Sequence, residues 1–269
     1  MKYWFRPVAS VQERPMSTSK DGSLNTHLTG KVAVVIGGAG AIGSAIAAAL
    51  SREGATVIIA DASNATSEVW SRIHTETGGG GRALNVDLTI ADEIEAVFAK
   101  VHQEFGRLDV LVHAAGIFVR KSLLEMSPQD WDQTQDINMR SFFLCTKAAV
   151  KEMMNRGEGR IIGITSGMSV IGAARSSAYS ASKAAMVAFV RSVSKELGYK
   201  GITINCIGPG ITDSPLMRNA NTEEEIEESI KRAGRPIGLP EDIVGPVLYL
   251  LSDATKSVSG TTLWMKSPV

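Results

Sequence analysis

"KVAVVIGGAGAIGSAIAAAL", residues 31–50, passes from a valine-rich run through a cluster of glycines into an alanine-rich helical pattern. The first part reads as a strand and the last as a helix. Between them Gly38, Gly40 and Gly43 fit the spacing GxGxxG. Glycine at such positions lets the backbone turn sharply and approach a pyrophosphate, whose charge then meets the N-terminus of the following helix. The motif carries weight only in this context, with a strand before it and a helix after it.

The same alternation continues along the chain. Residues 31–37, 55–60, 82–87, 108–116, 159–166, 201–210 and 261–265 read as strands, and 42–53, 64–77, 90–105, 128–155 and 178–199 as helices. Strand, helix, strand repetition calls for right-handed crossovers. The expected fold class is α/β, a Rossmann-type doubly wound and mainly parallel sheet of seven strands with helices on both faces. It occupies residues 28–269 as one domain, after a flexible arm over 1–27 that lacks periodicity and in which Met16 offers an alternative start. "MKYWFRP" at the start has only the basic, acid-free look of a weak transit peptide.

Composition narrows the classes of function. Lys+Arg and Asp+Glu number 28 each, so no global field attracts nucleic acid or a lipid surface. No apolar run reaches the length of a spanning helix. Cys145 and Cys206 lie in apolar segments without metal-ligand spacing and read as buried thiols. The expectation is a cytoplasmic protein with a small-molecule substrate and no metal.

Ligands of such sheets bind beyond the carboxyl ends of the strands. There the second strand ends at Asp61, 18 residues after Gly43, where a carboxylate accepts hydrogen bonds from an adenosine ribose and repels a 2′-phosphate. The following "ASNAT" carries no cation to reverse that repulsion, so NAD is favoured over NADP. In "SSAYSASKAAM", 176–186, Tyr179 and Lys183 are i, i+4 neighbours on one helix face. Lowering a phenol from its ordinary pKa to neutrality takes about 4 kcal/mol. One ammonium at about 4 Å supplies roughly that at an effective dielectric near 20. Ser166 ends the fifth strand, where its hydroxyl can polarise a carbonyl oxygen. Asn138 falls inside the long helix before that strand, a mild liability there.

Taken together these segments resemble the short-chain dehydrogenase/reductase family over about residues 28–263. "IGGAGAIG" is similar to its glycine-rich segment, "NVDL" to its third-strand motif, "HAAG" (113–116) to its NNAG, and "GPGITDS" to its PGxxxT segment. "GRPIGLPEDI" (234–243) resembles the approach to its last helix. The resemblance implies a catalytic set of Asn138, Ser166, Tyr179 and Lys183, with the serine and tyrosine at the family's spacing of thirteen. Tyr179 would exchange a proton with the substrate oxygen, Ser166 would bond that oxygen, and Asn138 would hold a relaying water. For the dinucleotide it implies Gly37, Gly40, Ala41, Ile42 and Gly43 of the glycine segment, with Asp61, Asp87 and Leu88 after the next two strands. Ala115 and Gly116, Tyr179 and Lys183, and Pro209, Gly210, Thr212 and Ser214 complete that expected set.

Several positions depart from the family pattern. Ile36 stands for a threonine, Ala41 for a glycine, and His113 and Ala114 for two asparagines, with His113 read as structural. Ser214 keeps a hydroxyl, whereas "LWMKSPV" replaces the usual C-terminal segment near a subunit interface. That departure bears on the expected homotetramer or homodimer. Ile117, Phe118, Met168, Val170, Ile171, Leu216 and Met217 offer an apolar substrate surface. Residues 221–235 read either as a mobile lid or as a solvated helix. The leading expectation is an NAD-dependent enzyme acting on a secondary alcohol or ketone. The alternatives are a 3-oxoacyl thioester reductase, for which the family resemblance implies NADPH and a basic docking patch, and a noncatalytic dinucleotide-binding protein.

Overall fold

Residues 26–198, 200–234 and 236–265 are described by a computed structural model, so most of the expected arm and the last four residues lie outside it. Seven strands form its sheet: β1 (Val32–Ile36), β2 (Thr56–Asp61), β3 (Gly81–Asn85), β4 (Val110–His113), β5 (Gly159–Ile164), β6 (Ile202–Gly208) and β7 (Thr262–Trp264). Their order is β3-β2-β1-β4-β5-β6-β7, and every pair is parallel rather than most of them. The helices are α1 (Ala41–Arg52), α2 (Thr66–Thr77), α3 (Ala91–Phe105), α4 (Pro128–Gln135), α5 (Ser141–Met154), α6 (Met168–Ile171), α7 (Ser177–Leu197), α8 (Pro215–Ala220), α9 (Glu223–Ala233) and α10 (Val244–Leu251). Among the described residues no helix is long and apolar enough to cross a membrane.

The valine run of β1 is buried at every position because both faces of the sheet are covered. Val32, Val34 and Ile36 point into one core with Ile94, Phe98, Phe142, Ala149 and Val190 of α3, α5 and α7. Ala33 and Val35 point into the other, with Ile46, Leu50, Ile73 and Val247 of α1, α2 and α10. Alternation along one strand thus serves two hydrophobic layers. Both cysteines are free and buried, as expected, in the first layer.

The one long helix expected over 128–155 is interrupted. Asp136–Arg140 forms a single π-turn between α4 and α5. Such a turn inserts one residue into the helical ladder and re-aims the helix beyond it. Most strands also stop short of their expected ends, which leaves Asp87, Ala114, Ala115, Gly116 and Ser166 in loops beyond the sheet. Because β1 sits between β2 and β4, the chain leaves it in one direction and returns on the other side, and the loops after β1 and β4 flank this switch point.

At the opposite end the same pair of strands is bound by Asp109, which is only 4% exposed. Its carboxylate accepts from the Val32 N–H at 2.9 Å and from the guanidinium of Arg107, with Lys31 Nζ at 3.7 Å. Burial pushes its pKa up, but the Arg107 and Val32 hydrogen bonds and the Arg107 and Lys31 charges outweigh burial and hold it below 3.8. A carboxylate so lowered contributes stability that is present above its unfolded pKa and is lost as pH falls through the folded one. Asp109→Asn is expected to cost about 2 kcal/mol in denaturant unfolding at pH 7. The loss should shrink when unfolding is repeated below pH 3.8, and an equal loss at both pH values would contradict the assignment.

Candidate active site at the carboxyl edge of the sheet

The glycine segment is shaped by what lies against it. A Cβ on Gly43 would stand 2.0 Å from the Gly37 carbonyl oxygen, and one on Gly37, whose φ is +76°, 2.5 Å from the Ala115 nitrogen. The loops after β1 and β4 therefore touch backbone to backbone at the switch point. Gly40 differs: its φ is −71° and its nearest neighbour to a Cβ lies at 3.3 Å. It caps α1 without any side-chain hydrogen bond, so no capping side chain competes for the first-turn N–H groups. Ala41 and Ile42 begin that turn, and a Cβ at Ala41 is accommodated.

Asp61 ends β2 beside this loop. Its carboxylate accepts from the Ala39 N–H and the Ser63 N–H, both at 3.0 Å. It does not cap α2, whose N-cap is Ala65. Each oxygen keeps a lone pair, so the group can still receive ribose hydroxyls. The residues present thus fit an adenosine dinucleotide: a glycine cradle, an uncapped helix start and a fixed carboxylate at the next strand end. Asp87 follows β3 but its carboxylate accepts from Thr89 N and Oγ1 at 2.8 and 2.7 Å, and Leu88 is buried. Ala115 and Gly116 line the crevice after β4, with Asn138 Oδ1 and Lys183 Nζ so close to Gly116 that a Cβ there would sit at 3.2 and 3.3 Å from them.

The four expected catalytic side chains come from the loop after β5, from α7 and from the π-turn. Tyr179 and Lys183 are buried on one face of α7. Burial pushes the Tyr179 phenol up to about 12, and a hydrogen bond with Ser166 opposes the rise. Ser166 Oγ also accepts from the Met168 N–H at 3.2 Å. Lys183 lies one turn along the same face. Its Nζ lies 5.8 Å from the centre of the tyrosine ring, drawn to the Ile164 carbonyl at 2.9 Å. Burial, the largest influence on the phenol, thus acts against the lowering expected from Lys183. Burial pushes Lys183 itself down to about 8.

Asn138 is fully buried. Its Oδ1 accepts from the Ile117 N–H at 2.8 Å, and its Nδ2 donates to the Ile117 carbonyl and to Ser182 Oγ, each at 3.0 Å. Both amide protons are thereby used within the protein. Ser182 in turn donates to the Tyr179 carbonyl at 2.7 Å, and Thr165 Oγ1 donates to the Lys183 carbonyl at 2.8 Å. Sequence reasoning passed over Thr165 and Ser182, and treated the small residues around Tyr179 only as space. The signal was their hydroxyls, in a helix that packs closely on a strand end.

After β6, Pro209 accepts from the Gly167 N–H at 3.0 Å and so joins the serine loop, with Gly210 beside it. Thr212 Oγ1 donates to the Gly210 carbonyl at 3.2 Å, and Ser214 caps α8 by accepting from Met217 N at 3.3 Å. Of the expected apolar substrate surface, Phe118 lies against Tyr179 with ring centres 4.5 Å apart, while Val170, Ile171 and Leu216 are exposed. The segment carrying α8 and α9 is pinned at its base, where Asp213 N and Gly238 N donate to Gly238 and Ile211 carbonyls. At its far side Arg120 Nη1 reaches the Ala220 carbonyl, Asn221 Oδ1 and Glu225 Oε2 at 3.1, 2.7 and 2.6 Å. Ile226 is buried beneath it, whereas Ile230 is half-buried.

Residues 37–266 match the family described as Enoyl-(Acyl carrier protein) reductase. The chain is 37% identical over 240 residues to the 3-oxoacyl-(acyl-carrier-protein) reductase of Synechocystis sp., covering 88% of this chain and 96% of that protein. It is 33% identical over 238 residues to the 3-oxoacyl-(acyl-carrier-protein) reductase FabG of Vibrio cholerae, covering 88% and 96%. A crystal structure described as gox2181 is similar with a TM-score of 0.84 at 30% identity, covering 89% of this chain and 95% of that one.

The glycine geometry separates two substitutions that look alike in sequence. Gly43→Ala is expected to weaken NADH binding, followed by fluorescence titration, by at least about tenfold, since relieving a backbone clash must open the cradle. Gly40→Ala, with ordinary φ and a Cβ that asks the Gly37 carbonyl to give by only a few tenths of an ångström, should stay within about threefold of wild type. Equal losses at both positions would refute this account of the loop.

Proposed function

Since the chain belongs to the short-chain dehydrogenase/reductase family, we propose that it reduces the ketone of a 3-oxoacyl thioester to a secondary alcohol, with NADH as the preferred donor. The observation that carries this reading is Tyr179, buried on α7 with its ring against Phe118, and with the half-buried Ser166 close enough to influence its phenol. Carbonyl reduction needs a proton donor at the oxygen, and a phenol raised to about 12 is protonated throughout the neutral range. The names of the relatives favour the thioester over the wider class of secondary alcohols and ketones that the sequence alone put first. A 3-oxoacyl thioester is itself a ketone with an apolar arm, so the apolar surface near Phe118 suits either.

Nicotinamide supplies the hydride when bound. The residues of the chain do the rest. Ser166 donates a hydrogen bond to the carbonyl oxygen and holds it in line with the tyrosine. Tyr179 passes its proton to that oxygen as negative charge develops there. Lys183, whose ammonium is anchored on Ile164, keeps a positive charge behind the phenol as it becomes a phenolate. Asn138 holds Ile117 and so the floor on which the substrate rests. Asp61 is the reason for NADH: its carboxylate is fixed at the ribose end of the crevice and repels a 2′-phosphate. A homo-oligomer and a substrate-covering role for the segment with α8 and α9 complete the proposal.

Oxidation of NADH and NADPH should be followed with acetoacetyl-CoA and with a plain secondary ketone. Turnover of the thioester is expected, with Tyr179→Phe slower by about 10²- to 10⁴-fold. Asp61→Ala should lose the NADH preference by about tenfold. In the reductive direction kcat/KM should fall as pH rises through about 8, where Lys183 loses its charge. Unchanged turnover by Tyr179→Phe would end the mechanistic reading, and wild-type preference for NADPH would end the cofactor assignment.

A further inference from the structure

His113 closes β4 and Ile117 lies four residues further on, yet both are tied to the same π-turn region, one through Ser141 and the other through Asn138. The turn leaves a carbonyl in need. Ser141 N–H bonds the Asp136 carbonyl five residues back and so withdraws from the Ile137 carbonyl that it would serve in an α-helix. The Ser141 hydroxyl takes over, donating to the Ile137 oxygen at 2.6 Å. A hydroxyl has one proton, so His113 Nε2, 2.8 Å from Ser141 Oγ, must be the donor in their bond. The imidazole is then the neutral Nε2–H tautomer with a bare Nδ1, and Nδ1 is unpartnered. Burial, and then the Lys183 charge, push His113 down to about 3, which keeps it in that form. The ring is fully buried edge-on to Phe142, at 5.3 Å between centres, which fixes its direction.

We infer that His113 is a positioning residue: through the Ser141 hydroxyl it holds the π-turn that aims Asn138 at Ile117, and thereby sets Phe118 against Tyr179. The catalytic consequence rests on the ketone-reductase reading, whereas the structural consequence does not. Two reaches distinguish a donor from mere filling. Glutamine places an amide N–H at the reach of Nε2, while asparagine reaches only as far as Nδ1, and phenylalanine fills the space without a donor.

Two measurements test this on the full chain. In NMR hydrogen exchange, the Asn138 side-chain amide, assigned by its loss in Asn138→Ala, should be protected in wild type and His113→Gln. It should exchange at least about tenfold faster in His113→Phe and His113→Asn. In ketone reduction the last two variants should lose about tenfold in kcat with little change in KM, glutamine should restore it, and His113→Phe should have no further effect on top of Asn138→Ala. Should His113→Phe fail to fold, Ser141→Ala removes the same relay without touching the ring and should give the same two signatures. Unchanged amide protection in the phenylalanine variant, or failure of glutamine to restore it in a folded protein, would overturn the inference. A wild type that reduces no ketone would overturn the functional reading instead, and the exchange data would still decide the role of His113.

Discussion

The ammonium of Lys183 lies out of water, 2.9 Å from the carbonyl of Ile164, and much of the site is arranged around that contact. A buried cation is costly unless something receives its protons. Here the last carbonyl of β5 does so, while the hydroxyl of the next residue, Thr165, bonds back to the main chain of Lys183. The two bonds lock α7 to the end of β5, which sets Tyr179 beside Ser166. They also bring Nζ so near the loop after β4 that Gly116 has no room for a side chain without a shift. The chemistry of the crevice thus depends on satisfying a desolvated charge, and the surrounding small residues reflect the closeness this requires.

The fold was legible because hydrophobic period and glycine placement are local facts. "KVAVVIGG" reads as a buried strand meeting a turn whatever surrounds it, and the order of strands and helices then limits the topology severely. The catalytic set was legible as positions, since an i, i+4 spacing does place Tyr179 and Lys183 on one face. What it does not determine is where a four-carbon stem ends, and the ammonium here meets the Ile164 carbonyl. Asn138 stands out in the sequence as a candidate catalytic residue because an asparagine inside a helix is otherwise a liability. The π-turn that makes it an asset depends on Ser141 and His113, partners contributed by different elements, which periodicity does not reveal.

The comparison with relatives and the geometry bear on different parts of the function. Similarity along most of the chain speaks to the family, that of the short-chain dehydrogenases/reductases. Asp61 and Phe118 bear instead on the choices proposed within it, since a fold alone does not decide cofactor or substrate. The relatives' names and Asp61 can therefore hold together.

The order of the strands also shapes how the chain must come together. Asp109 reaches Val32 across 77 residues of sequence, and β4 lies against β1 in the finished sheet. During synthesis β1, β2 and β3 can assemble as a half-sheet well before β4 has left the ribosome. In that interval the valine-rich edge of β1 stands open, with unpaired main-chain groups and apolar side chains on both faces. A strand interior to the native sheet is thus the one most exposed to wrong partners during its birth, and completion of β4 is the event that protects it.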